Sequence, residues 1–281
     1  MKTAVLVSLV CLLGIGRAPA SKHANAPSEL LGYALVQANG EELELVRSTG
    51  ERLIRKAPVG LSLLHGSSTP NYMTLVAAHQ AGMVALTLED PSIVWSWPNL
   101  RPEWPISVSE NGELAYGLGG RVYVANPSTK TTAVIADGTM PSWRPGSDRA
   151  VLFESNNSVK LIRDFDKAPE VLAAGTQPVW APDGRAIVYR TKSDTVELLH
   201  LPTQSKHVLF DARDVVGAIR WTPSEKWIYF VRRGGRYWYS IDWFASEPRQ
   251  VVIRNLDTGA EFNIFEVYKG NAARYTWVVG Q

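Results

Sequence analysis

Short apolar runs bounded by turn residues recur along the whole chain. Ala150-Val151-Leu152-Phe153, Ala186-Ile187-Val188-Tyr189 and Trp227-Ile228-Tyr229-Phe230 are the clearest. Runs of this length between Pro, Gly, Asn and Asp clusters predict β-strands. No segment sustains the period of about 3.6 residues that a long amphipathic helix requires, which excludes a helical solenoid.

Each of these runs follows a tryptophan and a turn. The three segments are Ser142-Trp143-Arg144-Pro145, Val179-Trp180-Ala181-Pro182-Asp183-Gly184 and Arg220-Trp221-Thr222-Pro223. The Trp is a large apolar anchor on one strand, Pro ends that strand, and Asp-Gly supplies a tight hairpin. Weaker copies extend the series, with second strands beginning near Tyr33, Met73, Leu114, Ala150, Ala186 and Trp227. The intervals are 40, 41, 36, 36 and 41 residues. Repeats of this length built from short strands are the signature of propeller blades. Third strands follow at Leu43–Leu45, Val122–Val124 and Val251–Ile253.

The first unit starts directly with its second strand. The chain ends on Arg274-Tyr275-Thr276-Trp277-Val278-Val279, a Trp-bearing strand without a successor. The sequence therefore predicts an all-β, six-bladed β-propeller over residues 31–281, its ring closed by a C-terminal strand joining the first blade. Closure of this kind removes exposed edges.

At the Trp-x-Pro units the sequence resembles the TolB-like propeller repeat, a Trp-Ser-Pro-Asp-Gly turn followed by an Ile-x-Phe strand. Trp180, Pro182, Asp183, Gly184, Ile187 and Tyr189 fit it best. Residues 140–154 and 218–232 fit in part, and residues 106–116 keep Asn111-Gly112 and a following strand. The resemblance implies a six-bladed propeller of the bacterial envelope and partner binding as the usual activity. TolB carries an α/β domain ahead of its propeller. The present chain is expected to lack one, which weighs against membership of the Tol machinery.

The N-terminus adds a compartment. Lys2, the apolar run at 3–16 and Ala18-Pro19-Ala20 have the layout of a secretory signal peptide over residues 1–20, leaving a short leader at 21–30. The run is too short to span a bilayer, so the mature chain is expected to have no integral membrane span and to be periplasmic or secreted. Cys11, the single cysteine, leaves with the signal, so no disulfide or thiol chemistry follows. The signal also holds Lys2 and Arg17 and no acid. Its removal from 29 basic and 27 acidic residues leaves equal numbers, which argues against nucleic acid as a partner.

Chemical motifs are sparse. There is no Gly-x-Ser-x-Gly elbow, Walker loop, His-Glu-x-x-His or calcium loop. His65 and His79 are the histidines that could share neighbouring loops, and no metal or other cofactor is expected. First-strand positions offer Ser107, Ser142, Arg144, Arg220, Thr222 and Thr276 to a central mouth, without a carboxylate cluster.

Trp143, Trp180, Trp221 and Trp277 recur at one blade position and read as core. Two aromatic segments break the repeat: residues 93–104 (IVWSWPNLRPEW), and residues 232–250, whose 234–249 stretch reads as an inserted hairpin. Both read as loops on the face that carries the crossings between blades, where insertions are tolerated and binding is common. Trp97, Arg101, Trp104, Asp211, Arg213, Trp238 and Trp243 are the candidate partner-binding residues, because Trp and Arg dominate binding hot spots. Burial of the inserted rings in the core is the alternative. Two functions compete: a monomeric envelope module binding a protein or peptide through this face, and a lyase- or cyclase-type propeller enzyme acting on a sugar or peptide at the central mouth.

Overall fold

The computed structural model describes residues 27–30, 33–39, 41–47, 51–59, 61, 63–68, 73–88, 91–146, 149–233, 249–267 and 276–279. Residues 1–26 and 234–248, the latter with Trp238 and Trp243, lie outside them.

After a short 3-10 turn at Ser28–Leu30, the described strands pair into six four-stranded antiparallel sheets. The first contains Tyr33–Asn39 (β1), Glu42–Arg47 (β2), Arg52–Lys56 (β3) and, beside β1, Thr276–Val279 (β24). The second runs Leu63–Ser68 (β4), Thr74–His79 (β5), Gly82–Thr87 (β6) and Ile93–Pro98 (β7). The third runs Glu103–Val108 (β8), Leu114–Leu118 (β9), Arg121–Asn126 (β10) and Thr131–Asp137 (β11). The fourth comprises Thr139–Trp143 (β12), Val151–Ser155 (β13), Ser158–Ile162 (β14) and Glu170–Ala174 (β15). The fifth comprises Thr176–Trp180 (β16), Ala186–Arg190 (β17), Thr195–His200 (β18) and Ser205–Asp211 (β19). The sixth comprises Val215–Trp221 (β20), Trp227–Arg233 (β21), Arg249–Asn255 (β22) and Glu261–Val267 (β23). β24 runs antiparallel to β1, with Tyr33 opposite Val279 and Val36 opposite Thr276.

First strands touch first strands: β4 meets β8 and β24, β8 meets β12, β12 meets β16, and β16 meets β20. They form the hub, and the fourth strands form the rim. The architecture is a β-propeller.

Apolar pattern explains the layering. The second strands β5, β9 and β17 and the third strand β6 bury both faces, because each sheet is covered on both sides by its neighbours. Successive apolar clusters join the sheets in turn. Leu43 and Leu45 meet Leu75 and Leu86 between the first and second. Ala78 and Met83 meet Ile106 and Tyr116 between the second and third. Ala115 and Val124 meet Trp143 and Phe153 between the third and fourth. Leu152 and Leu161 meet Trp180 and Tyr189 next. Val188 and Val196 then meet Ile228 and Phe230. Leu30 and Val46 pack with Tyr229 and Val251, joining the sixth sheet to the first.

Two local devices recur. The fourth strands of the second to sixth sheets each carry a register shift against the third strand. Such bulges twist an exposed edge and disfavour sheet-to-sheet aggregation. The crossings into the fourth and fifth sheets carry Gly138 and Gly175, where a Cβ would lie 2.5 Å from the Glu154 carbonyl and 2.6 Å from the Arg190 carbonyl. Only glycine admits this approach.

Polar side chains staple sheet to sheet. Trp143 N donates to Ser107 Oγ at 2.9 Å, and Trp180 N to Ser142 Oγ at 3.3 Å. Arg144 Nε donates to the Gly184 carbonyl at 3.0 Å while its guanidinium lies over the Trp180 ring. Ser107, Ser142 and Arg144 are thus occupied in joining blades, and the Thr222 hydroxyl donates to the Trp227 carbonyl at 3.1 Å within its own hairpin.

Candidate partner-binding face

One face of the propeller is defined by backbone bonds. In the first five sheets the residue after the fourth strand donates to the turn between the second and third strands of the same sheet. Ala57 N reaches Glu41 O at 2.7 Å, Asn99 N reaches Ala81 O at 2.7 Å, and Gly138 N reaches Gly120 O at 2.8 Å. Gly175 N reaches Asn157 O at 2.9 Å and Ala212 N reaches Asp194 O at 2.6 Å. Crossings and second-to-third turns therefore share this face. Residues 234–248 join β21 to β22, so their attachment points belong to it as well.

The candidate residues fall at two crossings of this face. Arg101 is exposed in the connection from β7 to β8. Asp211 ends β19 and Arg213 follows it, both exposed, between the fifth and sixth sheets. They pair with each other: Arg213 Nε lies 2.8 Å from Asp211 Oδ2, and the Arg213 backbone N–H donates to Oδ1 at 3.0 Å. These bonds hold the Asp211 carboxyl below, and the Arg213 guanidinium above, its ordinary range. A pre-paired, exposed Asp-Arg couple presents both charges in a fixed geometry.

The aromatic segment 93–104 is not a loop. Residues 93–98 form β7, and Trp95 and Trp97 lie half-buried against the core between the second and third sheets. Trp104 is the second residue of the hub strand β8, and its side chain lies outside the described residues, as do all of Trp238 and Trp243. Trp97 thus contributes mainly to packing. The histidine pair is likewise displaced from loops: His65 is in β4 opposite Ala78, and His79 ends β5 opposite Leu63. The buried His79 Nε2 has no hydrogen-bond partner, and burial pulls the imidazole pKa down.

Several polar groups on this face went unrecognised in the sequence. Gln177 N donates to Glu154 Oε2 at 3.1 Å. Arg190 pairs with Asp194 at 2.9 Å and donates to the Ala212 carbonyl at 3.2 Å. Arg232 Nε lies 2.7 Å from Asp214 Oδ2 as an ion pair, without hydrogen-bond alignment. Its guanidinium shares Glu261 with Arg254. Burial pushes the Glu261 carboxyl up, but hydrogen bonds from Arg232 and Arg254 outweigh it and hold it below the usual range. The repeat position alone could have flagged Glu154, Arg190 and Arg232, which end three successive second strands or stand next to their ends.

Among the described residues no three His, Cys, Asp or Glu side chains gather as metal ligands, and no helix is long and apolar enough to cross a membrane.

No protein-family profile matches the sequence, and comparison with curated proteins gives no match. Solved structures do match by shape. TolB from Acinetobacter baumannii superposes with a TM-score of 0.67 at 13% identity, over 90% of this chain and 68% of that one. The fold is that of a TolB-like propeller. A putative TolB from Agrobacterium tumefaciens superposes with a TM-score of 0.60 at 14% identity, covering 85% of this chain and 91% of that one. An oligogalacturonate lyase solved with manganese reaches 0.51 at 15% identity, over 78% and 69% of the two chains. The TolB-like fold is thus shared by proteins of different function, and function must be argued from the face itself.

Proposed function

We propose that this TolB-like propeller is an exported, periplasmic or secreted module that binds a protein or peptide through its crossing face. The observation carrying the proposal is the exposed charge on that face, at Arg101 and at the paired Asp211 and Arg213, together with the attachment there of the 234–248 connection, whose sequence holds two tryptophans. Arg and Trp on a rigid scaffold are the usual anchors of a hot spot. Six blades in a ring closed by the C-terminal strand would hold that face rigid. The pairing of β24 with β1 and the packing of the sixth sheet on the first support this closure. The A-x-A site before Ser21 supports export, and the mature chain would act as a monomer.

A lyase- or cyclase-type activity at the central mouth has weaker support, because Ser107, Ser142, Arg144 and Thr222 are already spent on structural bonds. Affinity capture from an envelope extract tests the binding reading. The wild-type propeller is expected to retain a protein that Arg101→Glu and Arg213→Glu lose, while Lys130→Glu and Lys167→Glu, on the opposite turns, keep it. Equal capture by all four variants would refute the assignment of the face.

A further inference from the structure

Two Asn-x-Ser triplets stand in the sequence, and no Asn-x-Thr. Such a triplet is an acceptor for N-linked sugar in an exported chain, provided that the middle residue is not proline and the asparagine is at the surface. Asn126-Pro127-Ser128 fails on its proline. Its asparagine is also spent inside its own turn, where Oδ1 accepts from Ser128 N at 3.0 Å and from Thr129 N at 3.2 Å. Asn156-Asn157-Ser158 meets both conditions. It links β13 to β14 on the crossing face, with Ser155 opposite Ser158 and the Asn157 carbonyl accepting from Gly175 N at 2.9 Å. Asn156 and Asn157 take positive φ, 54° and 56°, the two-residue hairpin conformation that asparagine tolerates better than most side chains. Both are exposed, and among the described residues no hydrogen bond ties the Asn156 amide.

We propose that Asn156 is an N-glycosylation acceptor, a reading that rests on export of the chain. The donor is a lipid-linked oligosaccharide. Asn156 Nδ2 forms a bond to the anomeric carbon of the first sugar, the bond from that carbon to the lipid pyrophosphate breaks, one amide proton passes to solvent, and the lipid pyrophosphate leaves. Glu154 stands two residues before Asn156, the acidic position that bacterial oligosaccharyltransferases demand in addition to the triplet. In the folded chain Glu154 Oε2 accepts from Gln177 N at 3.1 Å, so this carboxylate is free for the enzyme only before β16 packs beside β13. Transfer is thus placed during export, ahead of completion of the fifth sheet. The sugar then occupies the fourth sheet's part of the crossing face, while Arg101 and the Asp211–Arg213 pair stand at crossings on either side of it.

The test produces the full chain in bacterial cells that hold an oligosaccharyltransferase and its lipid-linked oligosaccharide. Two versions are compared, one with its own residues 1–20 and one with an established cleavable signal in their place. The exported protein is sequenced from its N-terminus, and its tryptic peptide 150–160 is weighed by mass spectrometry. That peptide should gain the mass of one oligosaccharide, carried on Asn156. Asn156→Asp, which keeps a side chain tolerant of the positive φ, should lose it, as should Ser158→Ala and Glu154→Gln. Ser158→Thr and Asn157→Asp should keep it. An unmodified peptide from both versions, with Ser21 at the exported N-terminus, overturns the proposal, and so does a sugar that survives Ser158→Ala or Glu154→Gln. Modification of the second version alone, with Met1 retained in the first, would overturn the export reading and leave Asn156 as the acceptor.

Discussion

Replacing Trp180 by alanine tests the architectural role of the repeated tryptophans. The indole is 3% exposed, enclosed by Leu152, Leu161, Ile187, Tyr189 and Leu199 between the fourth and fifth sheets. A buried tryptophan withdraws about 150–250 Å² from water, worth about 4–6 kcal/mol at ~25 cal/mol per Å², and measured truncations of such residues cost about 3–5 kcal/mol. The guanidinium of Arg144, 5.5 Å from the ring centroid, loses its aromatic partner as well, at about 0.5–1 kcal/mol. Two contributions do not change: the Trp180 N–H to Ser142 bond is a backbone donor, and the indole Nε1 makes no hydrogen bond to lose. A net loss of about 4 kcal/mol follows, with the cavity term deciding where in the range it falls. Urea unfolding followed by far-UV circular dichroism measures it. With a denaturant slope of about 3 kcal/mol per M for a domain of this size, the midpoint should drop by ~1.3 M at unchanged slope. A drop below about 0.3 M would refute the placement of Trp180 in the inter-sheet core.

Other consequences follow from the same geometry. Deleting residues 273–281 removes the strand paired with β1 and should abolish cooperative unfolding or solubility; unchanged thermal unfolding would count against ring closure. The Glu261 carboxyl is held below its usual range by Arg232 and Arg254, so it contributes stability above the ordinary glutamate pKa that is lost as pH falls through the lower folded value. Glu261→Gln should flatten that acid limb in pH-dependent unfolding, and an unchanged limb would remove the network from the account. His79 has a pKa lowered by burial from 6.5, so the neutral ring is favoured in the fold and stability is lost as pH falls below about 6.5. His79→Gln should remove that loss, and an identical profile in both proteins would show that His79 does not titrate across unfolding. N-terminal sequencing of the exported protein should begin at or beside Ser21, and an intact Met1 would overturn the export reading.

The propeller was legible because its turns are written in side chains that permit few alternatives. Trp143, Trp180 and Trp221 each end a hub strand, and Pro two residues later prevents the strand from continuing. What escaped the sequence was the meaning of the second aromatic segment. Two prolines and three tryptophans in 93–104 suggested an irregular loop, yet an x-Pro pair near the start of a hub strand recurs at Met140-Pro141 and Gln177-Pro178. Met140 and Gln177 there take positive φ at 54°, beside a register shift against the second strand. Trp104-Pro105 stands at the corresponding place in β8, also beside a register shift. The staples were equally hidden. Ser107, Ser142 and Arg144 are ordinary polar residues in one dimension, and their partners lie 36 to 40 residues away.

The central claim, that binding resides on the crossing face while the repeated tryptophans hold the fold, is tested most directly by one affinity series. The captured envelope partner is titrated against Trp238→Ala, Trp243→Ala, Trp180→Ala and Trp221→Ala, each at a temperature where it is folded. Trp238→Ala and Trp243→Ala should each weaken binding by about 2 kcal/mol with little change in unfolding midpoint, whereas Trp180→Ala and Trp221→Ala should lower the midpoint and leave the affinity of the folded protein intact. Unfolding by the first pair with unchanged affinity of the folded fraction would place the 234–248 tryptophans in the core and contradict the claim.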